Sequence, residues 1–185
     1  MPASCLLNAS PQDVLAFWRE AGPSRWFRKD SAFDEQFRNR FLATHEAALR
    51  GELDAWAGDA PGALALLILL DQFPRNAFRA TPRMFESDAR ALQIARQAVR
   101  SGFDAQVGAD LRNFFYLPFT HSEQLAHQDV GVALTRALGD EPLRYALMHR
   151  DIIARFGRFP HRNAVLGRAT TPEEQRFLDD GGFAG

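Results

Sequence analysis

A run of eight apolar residues from Ala63 to Leu70, which reads ALALLILL, limits the possible folds more than any other part of the chain. Such a segment is apolar on every side of a helix, and a helix of that kind must be surrounded by other elements. The run therefore predicts a central, buried helix over residues 59–73. Eight residues are far fewer than the ~20 that a membrane-spanning helix needs, so we expect no membrane span.

The other segments show helical spacing and almost no two-residue alternation. Phe33, Phe37 and Phe41 recur every fourth residue, which places them along one side of a helix that ends near Gly51. Capping side chains and prolines mark helix starts, and glycines mark helix ends. These signals predict further helices at 10–22, 81–102, 110–117, 122–138, 140–156 and from the capping box Thr171–Glu174 onward.

Seven or eight helices with short connections predict an all-α domain of stacked, antiparallel helix pairs. A chain of 185 residues is about the length of one domain. We therefore expect a single helical domain over 10–185, preceded by a flexible N-terminus over 1–9.

Charge and cysteine content exclude several classes of protein. Twenty-two basic and 23 acidic residues give a net charge of −1, which argues against a nucleic-acid partner. A single cysteine, Cys5, excludes an internal disulfide and a zinc site built from cysteines alone. Residues 1–12 lack the basic start and long apolar stretch of a secretory signal. The sequence thus predicts a cytoplasmic protein without a membrane or nucleic-acid partner, and leaves the oligomeric state open.

Two similar segments follow two of the predicted helices. Phe73-Pro74-Arg75-Asn76 follows the central helix, and Phe159-Pro160-His161-Arg162-Asn163 follows helix 140–156. We expect each proline to stop its helix. If the segments face each other, their polar side chains line one cavity. That arrangement requires the guanidinium groups of Arg75 and Arg162 to lie within about 15 Å, because small-molecule pockets measure only a few hundred cubic ångströms.

Each polar group allows a structural and a functional interpretation. Asp71, Gln72, Arg75 and Asn76 form either a buried ion-pair network or a pocket in which Arg75 binds a carboxylate or phosphate. His161, Arg162 and Asn163 either bind backbone carbonyls of the last helices or form a binding loop.

His121-Ser122-Glu123 precedes a predicted helix and has the same two interpretations. These residues either cap that helix, or His121 acts as a general base that Glu123 orients. His127, six residues beyond His121, lies on another face of a helix, so the two do not have the zinc-binding spacing. We predict no metal site and no other cofactor.

Three motifs in this order resemble one family: residues 71–76 (DQFPRN), 115–123 (FYLPFTHSE) and 156–168, which contains FGRFPHRN and LGR. The chain resembles domain of unknown function 924, an uncharacterised and mostly bacterial family, over nearly its whole length. The resemblance implies an all-helical fold similar to tetratricopeptide-repeat proteins, with helix pairs stacked into an arc. It implies no reaction and no catalytic residues. Tyr116 and Arg158, which lie within these motifs, complete the candidate ligand-binding set.

Two classes of function fit these observations. The first is a binding protein that recognises a peptide, a partner protein or a small anionic ligand, as stacked helix pairs commonly do. The alternative is an enzyme with hydrolase-like acid/base chemistry, with or without a metal ion, in which His121, Glu123 and His161 are catalytic. A binding protein predicts an open groove. An enzyme predicts a closed cavity where these three side chains converge within about 4–8 Å.

Overall fold

A computed structural model describes residues 9–184, which are all-helical and contain no β-strand. The predicted flexible N-terminus and Cys5 lie outside this range, apart from Ala9. None of the helices described is both long and apolar enough to cross a membrane. The α-helices are α1 (Pro11–Ala21), α2 (Pro23–Trp26), α3 (Ser31–Leu49), α4 (Ala60–Leu67), α5 (Phe73–Ala77), α6 (Asp88–Arg100), α7 (Ala109–Arg112), α8 (Leu117–Thr120), α9 (Leu125–Thr135), α10 (Asp140–Phe156) and α11 (Pro172–Asp179).

Several helix ends lie where local capping chemistry predicts them. Ser10 and Thr171 form capping boxes with Asp13 and Glu174 at the starts of α1 and α11. Gly157 ends α10 in the left-handed conformation, with φ 69° and ψ 0°, which glycine adopts without steric cost. These predicted boundaries are confirmed. They could be predicted because each depends on residues that are neighbours in sequence.

The number of helices differs from the prediction because the structure divides several predicted helices into shorter ones. The segment predicted as one helix over 81–102 consists of a 3-10 turn, Pro82–Phe85, followed by α6. Helix α2 was not predicted: Pro23, just after the predicted helix 10–22, occupies the first turn of a new helix, where its missing N–H is not needed.

The core surrounds α4, as the apolar run predicts. Every residue from Ala63 to Leu70 is at most 1% exposed. Helix α4 packs against α1 and α6, and α3 packs against α5. A second, smaller apolar cluster is built on Ile152, Ile153 and Phe159, with Phe177 and Phe183 packed against it. The second Phe-Pro segment therefore lies beside its own small core.

A π-helical turn over Ile68–Gln72 connects α4 to α5. The prediction that Pro74 stops the central helix is wrong: the chain continues through the π turn into α5, with Pro74 in its first turn. The wider turn lets the N–H of Phe73 bond to the carbonyl of Ile68. As a result the carbonyls of Leu69 and Leu70 lose their usual α-helical donors, since Phe73 is redirected and Pro74 has no N–H.

Side chains from two other helices satisfy these carbonyls. His45 Nδ1 on α3 lies 2.9 Å from the Leu69 oxygen, and Ser87 Oγ, just before α6, lies 2.5 Å from the Leu70 oxygen. Both side chains are buried. Buried backbone carbonyls require hydrogen-bond donors, so the π turn ties α3 and α6 to the core helix and fixes the position of Asp71.

Candidate functional site

Six elements bring charged and imidazole side chains together at one edge of the core. They are the π turn, α5, the first turn of α6, the end of α8, the middle of α10 and the 3-10 turn Pro160–Arg162. The side chains form what we call the histidine–arginine cluster: Asp71, Arg75, Asp88, His121, His149, His161 and Arg162.

Asp71 and His121 form a carboxylate–imidazole pair at the centre of the cluster. His121 Nδ1 lies 2.7 Å from Asp71 Oδ1, although the two residues are 50 positions apart. Asp71 is 1% exposed, and its second oxygen accepts a hydrogen bond from Gln72 Nε2 at 2.6 Å. His121 keeps 15% of its side chain exposed, and its Nε2 makes no hydrogen bond to any residue described. The imidazole is therefore held at one nitrogen and open at the other.

The electrostatics define which atoms carry protons in this pair. Burial raises the pKa of Asp71, but the charges of Arg75 and His121 and two side-chain hydrogen bonds outweigh it and lower that pKa to about 2. Burial, and then the charge of Arg75, lower the pKa of His121 below its usual value. At neutral pH an ionised Asp71 accepts a hydrogen bond from the Nδ1–H of a neutral His121, so the Nε2 lone pair is free.

Arg75 and Arg162 share one carboxylate, that of Asp88. Arg75 Nη2 and Arg162 Nη1 lie 3.1 and 3.3 Å from the same oxygen, Asp88 Oδ2. The two guanidinium groups are therefore much closer than the limit of about 15 Å for a shared pocket. Asp88, however, occupies the position that an anionic ligand would take between them. Arg75 also donates to the backbone oxygen of Asp71 at 2.6 Å.

Arg162 supports the backbone of His121. Its Nη2 donates to the His121 carbonyl at 3.0 Å, and its guanidinium lies 4.5 Å from the ring centroids of both Phe85 and Phe159. Burial, and then repulsion by Arg75, lower the pKa of Arg162 to about 10. A buried side chain whose guanidinium is engaged in these contacts positions its neighbours. The Nε atom of Arg162 has no hydrogen-bond partner among the residues described.

His149 and His161 are the other imidazoles of the cluster. The ring centroids of His149 and His121 are 6.5 Å apart. His149 Nδ1 lies 2.8 Å from the carbonyl oxygen of Tyr145, which can only accept, so Nε2 carries the lone pair. Burial is the main cause that lowers the pKa of His149 to about 4 and that of His161 to about 3. Both are neutral at physiological pH.

Glu123 does not orient His121, so that predicted pairing is wrong. Its two oxygens bind Arg168 at 2.7 and 3.0 Å, and one also accepts the N–H of Phe159 at 2.8 Å. His121 and Glu123 are two residues apart just after α8, and their side chains leave the backbone in different directions. The side chain of Glu123 is directed toward the loop after α10. Asp71 is the carboxylate that contacts the His121 imidazole.

The remaining predicted residues contact other parts of the fold. Asn76 Nδ2 donates to Asp34 at 2.7 Å, and Tyr116 Oη to Asp104 at 2.7 Å. Arg158 binds Glu174 through two nitrogens, and Asn163 donates to the same carboxylate at 3.2 Å. These contacts join helices or loops, so the structure does not bring Asn76, Tyr116, Arg158 and Asn163 into the cluster.

Asp88 and His149 were not predicted as site residues. A lone histidine inside helix 140–156 and an acidic residue in the first turn of a helix are common surface features. Neither carries a signal in sequence, because their importance comes from the groups that they meet. Pro74 was the one local sign that the chain near Asp71 is irregular.

No metal site marks the cluster in the part of the chain that the structure describes. Within residues 9–184, no group of three or more His, Cys, Asp or Glu side chains is arranged to hold a metal ion. A surface groove of about 530 Å³ lies between α1, α2 and α3, and one of about 290 Å³ lies along α6. No candidate site residue lines either groove.

Comparisons with other proteins support the fold and leave the activity open. Residues 14–182 match the family model described as bacterial protein of unknown function (DUF924). Among solved structures, the chain is similar to a protein of unknown function from Agrobacterium tumefaciens, with 51% sequence identity and a TM-score of 0.91. That alignment covers 92% of this chain and 97% of the other. No curated protein matches the chain.

Proposed function

The chain belongs to the DUF924 family of bacterial proteins of unknown function, and because membership names no reaction, we propose from the site itself that it is an enzyme that uses general acid–base chemistry. His121 is the proton acceptor, through Nε2, and Asp71 orients its ring. The observation that carries this proposal is the 2.7 Å contact between the buried Asp71 carboxylate and His121 Nδ1.

The pair has the properties that a general base requires. An ionised carboxylate on Nδ1 holds one tautomer and stabilises the imidazolium that forms when Nε2 takes a proton. Arg75 keeps Asp71 ionised, and Arg162 holds the backbone of His121. A water molecule or a substrate hydroxyl at Nε2 would lose its proton to His121. Hydrolysis by activated water is the reaction class that this arrangement supports.

The experiment is a screen of p-nitrophenyl esters and phosphates with the wild-type protein, His121→Ala and Asp71→Asn. Loss of a general base lowers rates by about 10²–10⁴-fold, so we expect both variants to lose the activity by that factor. His127→Ala is the matched control, since His127 bonds to Ser122 Oγ outside the cluster. Full activity in His121→Ala, or no turnover of any substrate by the wild type, would contradict the proposal.

A recognition function is the second candidate, favoured by the groove between α1, α2 and α3. Phe17 contributes aromatic surface to it, and Arg25 and Arg40 contribute charge. In this proposal the helices form a tetratricopeptide-like arc of antiparallel pairs in the cytoplasm, and a peptide or partner protein lies in the groove. The two candidates separate in one comparison, because a peptide bound in the groove would keep its affinity in His121→Ala.

A further inference from the structure

Phe183 lies directly against two of the three histidines in the cluster. Its ring centroid is 4.6 Å from that of His149 and 5.2 Å from that of His161. Phe159 contacts the same imidazoles, at 5.5 Å each. Edge-to-face and tilted contacts at such distances are favourable for aromatic rings. Each imidazole therefore packs between two phenyl rings, one from Phe159 and one from Phe183.

The two phenylalanines are held very differently. Phe159 is 0% exposed, its N–H donates to Glu123 and its carbonyl accepts from Arg168. Phe183 follows Gly181 and Gly182, and Gly182 donates the last backbone hydrogen bond before it, to the Phe177 oxygen at 2.9 Å. Gly181 has φ +81°, a conformation that favours glycine. Phe183 packs against the small apolar cluster, and no backbone hydrogen bond joins it to the residues described, so its ring is held mainly by side-chain packing.

We propose that the Phe183 ring occupies the place of an aromatic ring of the ligand, and that the ligand is a small molecule carrying such a ring and a hydroxyl group. This inference rests on the proposed function, because His121 would act on the polar part of that ligand. His149 Nε2 makes no hydrogen bond to any residue described, and the ring centroids of His149 and His121 are 6.5 Å apart. A hydroxyl can donate to either nitrogen.

The first measurement is the rate at which diethyl pyrocarbonate modifies each histidine, followed by peptide mass spectrometry. If Phe183 covers the site more than about 90% of the time, removing its ring speeds modification at least about tenfold. We expect that acceleration at His149 and His161 in Phe183→Ala, and none at His127. Phe177→Ala is the matched control, because Phe177 packs on Phe156 in the same small cluster.

The second measurement is the affinity for phenol, by calorimetry. Because the internal ring competes with the probe, Phe183→Ala should bind phenol at least about tenfold more tightly than the wild type. Phe177→Ala should not change the affinity. Cyclohexanol, which has the hydroxyl but no aromatic ring, should show no such gain.

Two results would overturn the inference: equal modification rates in wild type and Phe183→Ala, or equal gains in affinity for phenol and cyclohexanol. Phe183→Leu keeps an apolar side chain in place, so it tests the same predictions with intermediate effects if the alanine variant is unstable. Neither measurement involves turnover. A failed phenol test with a large loss of activity in His121→Ala would therefore reject the ligand and keep the enzyme.

Discussion

A carboxylate's role at this site depends on which partner it meets. Asp71 and Glu123 are both acidic, and Glu123 is only two residues from His121 in sequence. Only Asp71, however, contacts an imidazole. Glu123 pairs with Arg168 and so joins the segment after α8 to the loop after α10. The difference comes from the direction in which each side chain leaves its turn, and that direction follows from helix packing.

We expect Glu123→Gln and Arg168→Gln each to lower the free energy of unfolding by about 1–3 kcal/mol, because each leaves a partly buried charge without its hydrogen-bonded partner. In a double-mutant cycle the pair should show a coupling of about 0.5–3 kcal/mol by denaturant unfolding.

The exposed pair Arg150–Asp129 provides the control, with an expected coupling below about 1 kcal/mol. Activity lost in Glu123→Gln at unchanged stability would instead place Glu123 in the chemistry.

Among the elements, the π turn over Ile68–Gln72 has the largest consequence for the site. It leaves the carbonyls of Leu69 and Leu70 without their helical donors, so that side chains from α3 and from just before α6 bind them. It also sets the direction of Asp71. π-helical turns are rare and occur often at functional sites. Here the turn both accommodates Pro74 and connects the buried helix to the cluster.

Ser87→Ala removes the donor to the Leu70 carbonyl, which Pro74 cannot replace. We expect a loss of about 1–3 kcal/mol in the free energy of unfolding, since a buried carbonyl is left without a partner. For a chain of this size each kcal/mol lowers Tm by about 2–4 °C, which calorimetry would detect.

Thr135→Val is the control, because the Gly131 carbonyl that Thr135 binds lies inside α9, within reach of a helical amide. We expect the smaller effect there. Equal losses in both variants would show that the π turn leaves no carbonyl in need of Ser87.

For the whole molecule, the buried histidines link stability to pH. The pKa values of His149 and His161 are lowered to about 4 and about 3, mainly by burial. In the unfolded chain each returns to about 6.5. Below that pH the unfolded chain binds protons that the folded chain does not, so the folded state loses stability as pH falls.

We expect the free energy of unfolding to decrease between pH 6 and 4 by about 1.4 kcal/mol per pH unit for each of these histidines. Denaturant titrations at pH 7, 6, 5 and 4 would measure the slope. His161→Gln should reduce it by the share of one histidine. A free energy that stays constant from pH 7 to pH 4 would show that these imidazoles are not protected from protonation.

Local patterns determined the buried helix and several helix ends of this protein. The apolar run from Ala63 to Leu70 required a surrounded helix, and Ser10, Thr171 and Gly157 placed helix ends, because capping acts over three or four residues. Tertiary packing alone decided which polar groups meet. Asp71 and His121 are 50 residues apart, and Arg162 reaches Asp88 across 74. No local rule specifies such pairs, since they depend on how separate helices lie against one another.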